Sequence, residues 1–336
     1  MDIVTASQYT FKMHAENFMT LHHDSIDILM ATYNGAAFVA QQIDSILAQD
    51  YPHIRLIIRD DGSTDTTRSI LEVYAHNYPS QIVLLPSIEK SEKGVGKNFS
   101  VLMSHATANY VMLADQDDVW MKDKVRKTLE KMKESEVQFS ADKPLLVHTD
   151  LTVVDKNLKM MAPSFWRYSK ISPMKTKTLN RLLVQPVVTG CTVMMNRELL
   201  KLALPIPQDC VMHDSWLALV SAALGQVIPM PDSFILYRQH NKNTVGARKF
   251  WSLGYLKSSF DKLSQPETKK FNQGRILLSR YRESLNEENQ KTITAYLSLK
   301  QSSFFQRAYL IFNHGLLRDG FLRNAVAICC SRLYQM

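Results

Sequence analysis

The sequence predicts an α/β fold, a sheet flanked by helices, followed by a helical C-terminal extension. Three observations carry this. Short apolar runs alternate with amphipathic helical segments between residues 26 and 240. Several of those runs end in clustered polar or acidic residues, where the strands of an open sheet present ligands. From Lys249 onward the pattern becomes purely helical. These changes divide the 336 residues into a lead-in (1–24), an α/β region (25–248) and a basic helical region (249–336).

Ile26–Met30 reads as the first strand and runs into Ala31-Thr32-Tyr33-Asn34-Gly35. A helix follows, with Phe38, Val39, Ile43, Ile46 and Leu47 on one face, and Asp50-Tyr51-Pro52 stops it. Ile54–Arg59 is the second strand and delivers Asp60-Asp61-Gly62-Ser63-Thr64-Asp65. Two adjacent aspartates exceed what one helix cap needs, so Asp60 or Asp61 is expected to accept hydrogen bonds from a base N–H or ribose hydroxyls. After a third strand at Ile82–Leu85, the turn Gly94-Val95-Gly96-Lys97-Asn98 lacks the spacing of a P-loop. It lets backbone approach a ligand, with Lys97 or Asn98 as the contact, or it is a plain turn before a helix.

The chemical centre is Asp115-Gln116-Asp117-Asp118-Val119-Trp120, directly after the apolar run Tyr110–Ala114. Three carboxylates within four residues repel one another, and burying them unpaired is costly. A divalent cation relieves both, and hard oxygen ligands suit Mg²⁺ or Mn²⁺ bound to a diphosphate. Capping of the next helix, Lys122–Met132, is the plainer reading. Leu145–Asp150 is a further strand, Asn157–Lys177 reads as loop, and Val187–Met195 as an apolar strand with Gly190 inside it. Met212-His213-Asp214-Ser215-Trp216 opens an apolar helix; Asp214 is a helix cap, a general base, or both. Phe234–Tyr237 is the last strand and ends in Arg238-Gln239-His240-Asn241, where Arg238 could face a diphosphate and His240 a cation. Helical patterns then cover Phe271–Leu285, Glu288–Leu299 and Phe304–Tyr334.

Charge is unevenly placed: residues 1–130 carry −6, residues 131–336 carry +14, and residues 241–336 alone carry +10. The basic tail predicts an anionic contact, a membrane leaflet or a diphosphate-linked lipid; its last amphipathic segment could equally pack internally or form a homodimer. An acidic first part without a binding motif excludes nucleic acid as the partner. Four cysteines without metal or disulfide spacing, and an opening without a sustained apolar core, predict a cytoplasmic protein, peripheral at most to the inner face of the cell membrane.

Taken in order, Ile28–Gly35, Arg59–Asp65, Asp115–Trp120, His213-Asp214 and Tyr237–His240 resemble glycosyltransferase family 2, with its GT-A fold. Leu145–Leu151 and Tyr237–Asn241 narrow the likeness to bacterial rhamnosyltransferases of cell-wall polysaccharide synthesis. The resemblance implies an inverting, metal-dependent transferase. Thr32, Tyr33, Asn34 and Asp61 would hold base and ribose, Asp115 the ribose or a metal-bound water, Asp117 and His240 the Mg²⁺ or Mn²⁺, and Asp214 would be the catalytic base. The donor it implies is a nucleotide-diphosphate sugar, dTDP-β-L-rhamnose or a UDP-sugar, and the acceptor a lipid-linked glycan. His213 stands where many relatives have an acidic residue, which leaves its role open. Two other readings are a sugar-phosphate nucleotidyltransferase, whose Gly-rich opening loop is absent, and a non-catalytic scaffold of a polysaccharide assembly complex.

Overall fold

The computed structural model describes residues 24–86, 94–240 and 268–329. The lead-in before Asp24, the residues around Glu92 and Lys93, the start of the basic region and the chain end lie outside them. No helix of the described residues is long and apolar enough to cross a membrane.

The chain opens β1 (Ile26–Thr32), α1 (Val39–Leu47), β2 (Ile54–Asp60), α2 (Thr67–Asn77), β3 (Ile82–Leu84), α3 (Val95–His105) and β4 (Tyr110–Ala114). β1, β2, β3 and β4 pair in parallel in the order β3-β2-β1-β4. Successive strands therefore diverge from β1, and a crevice opens between the C-terminal ends of β1 and β4. Thr32 and Asp115 stand at its two lips. β1 and β4 are almost wholly buried, which explains why they read as continuous apolar runs and not as alternating ones.

The remainder of the sheet is mixed. β5 (Val119–Trp120), α4 (Lys124–Phe139), β6 (Leu145–Val154), β7 (Met160–Ala162), α5 (Phe165–Tyr168), α6 (Leu179–Val184), β8 (Val193–Asn196), α7 (Arg197–Ala203), α8 (His213–Leu224) and β9 (Gln226–Arg238) follow. β8 enters antiparallel beside β4, and β6, β9 and β5 extend the sheet beyond it. β9 is much longer than its C-terminal apolar run suggested, because it pairs along the whole of β6 and its exposed stretch carries prolines and polar residues.

Two further segments of this region differ from the sequence reading. Of the apolar run Val187–Met195 only the last part is strand; Gly190–Thr192 forms a 3₁₀ turn. The stretch 157–177 contains β7 and α5, because the buried Asp150 carboxylate organises it, accepting from Ser164 Oγ and Trp166 N. In both cases long-range hydrogen bonds, invisible to periodicity, set the local structure.

After residue 268 come α9 (Thr268–Tyr281), α10 (Glu287–Ser298), α11 (Phe304–Asn313) and α12 (Phe321–Cys329). The single helix expected over 304–334 is broken between α11 and α12, where Gly315 and Gly320 adopt positive φ of 61° and 92°. Leu277, Ile293, Tyr296 and Ile311 of these helices share one apolar cluster with Leu183, Trp216 and Val220. The C-terminal helices thus complete the core on one face of the sheet.

Within that sheet, His148 of β6 is fully buried, and neither ring nitrogen has a hydrogen-bond partner among the described residues. Burial pushes its imidazole down from 6.5 to about 3. The folded protein keeps the ring neutral, while the unfolded chain protonates it below about pH 6.5. Stability from this residue is therefore constant above pH 6.5 and is lost as pH falls toward 3. We predict that His148→Leu flattens this loss by on the order of 2 kcal/mol between pH 6.5 and 5, measured by urea denaturation.

Candidate active site

The crevice between β1 and β4 widens into a cavity of about 560 Å³, lined among others by Thr32, Tyr33, Asp61, Asn98, Asp115, Asp117, His213 and Asp214. Seven expected site residues, from strands and helices far apart in sequence, therefore meet there. Asn34, Arg238 and His240 lie outside its lining.

One end of the cavity is built by the loops after β1 and β2. Asp60 is consumed by the fold: its carboxylate accepts from Thr32 Oγ1 (2.9 Å), Ser63 N (2.8 Å) and Ser63 Oγ (2.6 Å). That fixes the turn and leaves Asp61 facing the cavity. Asp61 Oδ2 accepts from Gly94 N at 2.9 Å, whereas Oδ1 is buried without a partner among the described residues. Of the two adjacent aspartates, Asp61 is the one that lines the cavity. Asn98 is similar: Nδ2 donates to Arg59 O, and its buried Oδ1 has no partner among the described residues. Such orphaned acceptors are costly until a donor group arrives. Asn34, at φ 47°, instead joins the two loops, its Oδ1 accepting from Thr64 N and its N–H donating to Ser63 Oγ.

Gln116, which sequence reasoning passed over, ties the Tyr33 loop to the acidic loop. Its Oε1 accepts from Tyr33 N and its Nε2 donates to Tyr33 O, at 2.9 and 3.0 Å. A Cβ on Gly35 would lie 2.2 Å from that Oε1, so a larger residue there would push the Gln116 side chain away from Tyr33.

The three aspartates of the acidic loop have three environments. Asp117 Oδ2 lies 2.7 Å from His240 Nε2, both side chains slightly exposed, and the His240 ring stacks on Phe38. A carboxylate oxygen and an imidazole nitrogen converging at a cavity edge suit Mg²⁺ or Mn²⁺. Asp118 is fully buried and accepts from Arg238 N. Asp115, Asp118 and Cys191 place their ligand-type atoms within 4.8 Å of one another. Its sulfur is too soft a ligand to suit Mg²⁺ or Mn²⁺. Burial, with the neighbouring carboxylates, pushes the Cys191 thiol well up, so it stays protonated, and Asp118 is pushed well above the ordinary carboxylate range by the same causes. Burial, then the charges of Asp117 and Asp214, raise Asp115 to about 7. Beneath them Lys124, fully buried with its ammonium 3.8 Å from the Trp120 ring centroid, is lowered by burial to about 7.

Arg238 departs from its expected role. Its guanidinium donates to Asp117 O, Lys156 O and Gln41 Oε1 at 2.6–2.7 Å and stacks over Phe38. A buried guanidinium needs its donors satisfied, and two backbone carbonyls and the Gln41 amide oxygen do so. The residue shapes that loop and does not point into the cavity.

Asp214 sits in the first turn of α8, whose cap is Met212. Its Oδ2 accepts from Gly190 N (3.0 Å) and its Oδ1 from Ser215 N (2.6 Å), so the 3₁₀ turn and the start of α8 together fix the carboxylate. His213 beside it is stacked on Phe99 at 4.1 Å and held neutral by burial. Gln273 of α9, buried, closes the support: its Oε1 accepts from Val211 N and its Nε2 donates to Ser215 Oγ. Removing both bonds with Gln273→Ala should destabilise the fold by about 2 kcal/mol and lower kcat about tenfold with little change in KM for donor, read by urea denaturation and steady-state kinetics.

Residues 27–203 match the family model described as Glycosyl transferase family 2. The chain belongs to this family. This family 2 glycosyltransferase is 30% identical over 248 residues to dTDP-rhamnosyl transferase RfbG of Shigella flexneri, covering 69% of this chain and 80% of that one. The structure of S. aureus TarS 1–349 in complex with UDP-GlcNAc superposes with a TM-score of 0.53 at 15% identity, covering 92% of this chain and 89% of that one. The mannosyltransferase PcManGT of Pyrobaculum calidifontis, in complex with GDP-Man and Mn²⁺, gives 0.50 at 18% identity, with coverages of 93% and 85%. The glycosyltransferase thus shares the GT-A fold, with its mixed sheet flanked by helices and C-terminal helices added.

Proposed function

We propose that this glycosyltransferase moves a sugar from a nucleotide diphosphate to a hydroxyl of a lipid-linked glycan, with inversion, in bacterial cell-wall or capsule polysaccharide synthesis. The observation that carries the reading is the convergence of Asp117 and Asp214 on one cavity. Asp61 and Asn98 offer acceptors to the base or ribose, and Tyr33, half exposed, offers an aromatic face. Asp117 and His240 would hold Mg²⁺ or Mn²⁺. Bound there, the cation would offset charge on the departing diphosphate. Asp214 takes the proton from the acceptor hydroxyl as its oxygen attacks the anomeric carbon, and the two backbone N–H groups hold the carboxylate in place. A single displacement on the face opposite the leaving group inverts the configuration.

For the donor, L-rhamnose from dTDP-β-L-rhamnose is the first choice. Phe165, Ile171, Pro186, Val187 and Val188 make one wall of the cavity apolar, which suits the methyl group of a 6-deoxy sugar. RfbG bears the name of a dTDP-rhamnosyl transferase. A UDP-hexose donor is the second reading, favoured by the fold likeness to TarS bound to UDP-GlcNAc. A thermal-shift screen with Mn²⁺ decides between them. We expect dTDP-rhamnose to raise Tm by several degrees and UDP-glucose or UDP-GlcNAc by less than half as much, following the relation between bound ligand and stability. A larger shift with a UDP-sugar reverses the order.

A further inference from the structure

His213 lines the cavity beside Asp214, is 3% exposed, and has no hydrogen-bond partner for either ring nitrogen among the described residues. Its ring lies on Phe99, with 4.1 Å between centroids and 23° between planes. Packing therefore fixes the ring without using its nitrogens. Gly190, which also lines the cavity, shows where Nε2 faces. A Cβ added to Gly190 would meet His213 Nε2 at 3.1 Å and Asp214 Oδ2 at 3.5 Å. The imidazole nitrogen and the carboxylate oxygen thus border one small space, kept open because residue 190 carries no side chain.

Buried nitrogens without partners cost stability. A phenylalanine could stack on Phe99 in the same place without that cost. A polar ring kept there, next to a reacting carboxylate, points to a ligand that meets it.

The ring's state and position give the chemistry of that ligand. Burial keeps the imidazole neutral, so one nitrogen donates and the other accepts. An alcohol O–H also does both, and the pairing adds no charge beside Asp214. The apolar wall Pro186-Val187-Val188 continues through Thr189 into Gly190, and all five residues line the cavity. A sugar with its carbon face on that wall presents its hydroxyl edge to the space over Gly190.

We propose, resting on the nucleotide-sugar donor assigned above, that His213 hydrogen-bonds a hydroxyl of the transferred sugar and sets the enzyme's selectivity for it.

Calorimetric titration of the full chain with Mn²⁺ tests this with two pairs of ligands, dTDP against dTDP-rhamnose and UDP against UDP-glucose. His213→Phe keeps a ring on Phe99 and removes both nitrogens. It should weaken binding of the preferred nucleotide sugar about tenfold and leave the matching nucleotide diphosphate within about twofold of wild type. Its urea midpoint should equal or exceed that of the wild type, an outcome a packing role would not give. His213→Gln, which keeps a donor and an acceptor, should lose less than about threefold. Unchanged nucleotide-sugar affinity in His213→Phe overturns the proposal, and so does an equal loss for the nucleotide diphosphate alone. A His213→Phe protein that unfolds at lower urea or does not fold overturns it too, since the ring would then serve the core. Loss of turnover with donor affinity intact moves His213 to the acceptor and also overturns it. Failure of the donor assignment itself looks different: wild-type protein then binds neither nucleotide sugar nor nucleotide diphosphate, and the proposal falls with it.

Discussion

Asp214→Asn is expected to lower kcat by about 10²–10⁴ while leaving donor affinity within about threefold of wild type. The substitution keeps the volume of the side chain but removes its ability to take a proton. Asp214 lines the cavity yet shares no hydrogen bond with Asp61, Asn98 or Asp117, the groups assigned to the donor. Loss of the base should therefore show in turnover and not in nucleotide-sugar binding. A cost in stability comes with it. Both carboxylate oxygens accept backbone N–H groups, from Gly190 and Ser215, and a carboxamide supplies one acceptor where two are used. About 1 kcal/mol of destabilisation is expected, measured by urea denaturation alongside steady-state kinetics and calorimetric donor binding. If donor affinity collapses while turnover of bound donor persists, Asp214 is not the base.

Asp117→Ala should cut transfer by more than about a hundredfold and abolish the metal dependence of donor binding. Its carboxylate is the group that pairs with His240 at the cavity edge, and the loop carrying it is locked by the Arg238 guanidinium on Asp117 O and by Gln116 on Tyr33. The backbone should keep its course in the variant, so the loss reports on the carboxylate. Calorimetric titration of donor with Mn²⁺ and with chelator present should give two affinities in the wild type and one in Asp117→Ala. Equal metal stimulation in both proteins would place the cation site away from Asp117.

The strand and helix order was legible because apolar runs and 3.6-residue periods are local. β1, β2 and β4 read directly as buried parallel strands, with their chemistry at the C-terminal ends. The break between α11 and α12 was not read, although Gly315 and Gly320 were in plain view; only the positive φ they adopt turns two glycines into a stop. In the site, Asp117 stood out within a run of three carboxylates, and Asp214 as the single carboxylate opening an apolar helix. Gln273 gave no signal, since it supports Val211 and Ser215 from about sixty residues away in sequence. His213 was visible as a departure from its family, and its stacking on Phe99 belongs to the tertiary structure alone.

What this sequence determined by itself is the inventory: an α/β sheet, carboxylates at strand ends, one aspartate opening an apolar helix, and a basic helical tail. These follow from side-chain type and spacing, which act within a few residues. The tertiary structure decided which of those groups remain available for chemistry. Asp60 and Arg238 spend their hydrogen-bonding capacity within the fold, on Thr32 and Ser63 for the one and on Asp117, Lys156 and Gln41 for the other, while Asp61 lines the cavity and keeps one oxygen without a partner among the described residues. Hydrogen bonds between distant segments form only once the chain is folded, so the division between supporting and reacting residues is settled there.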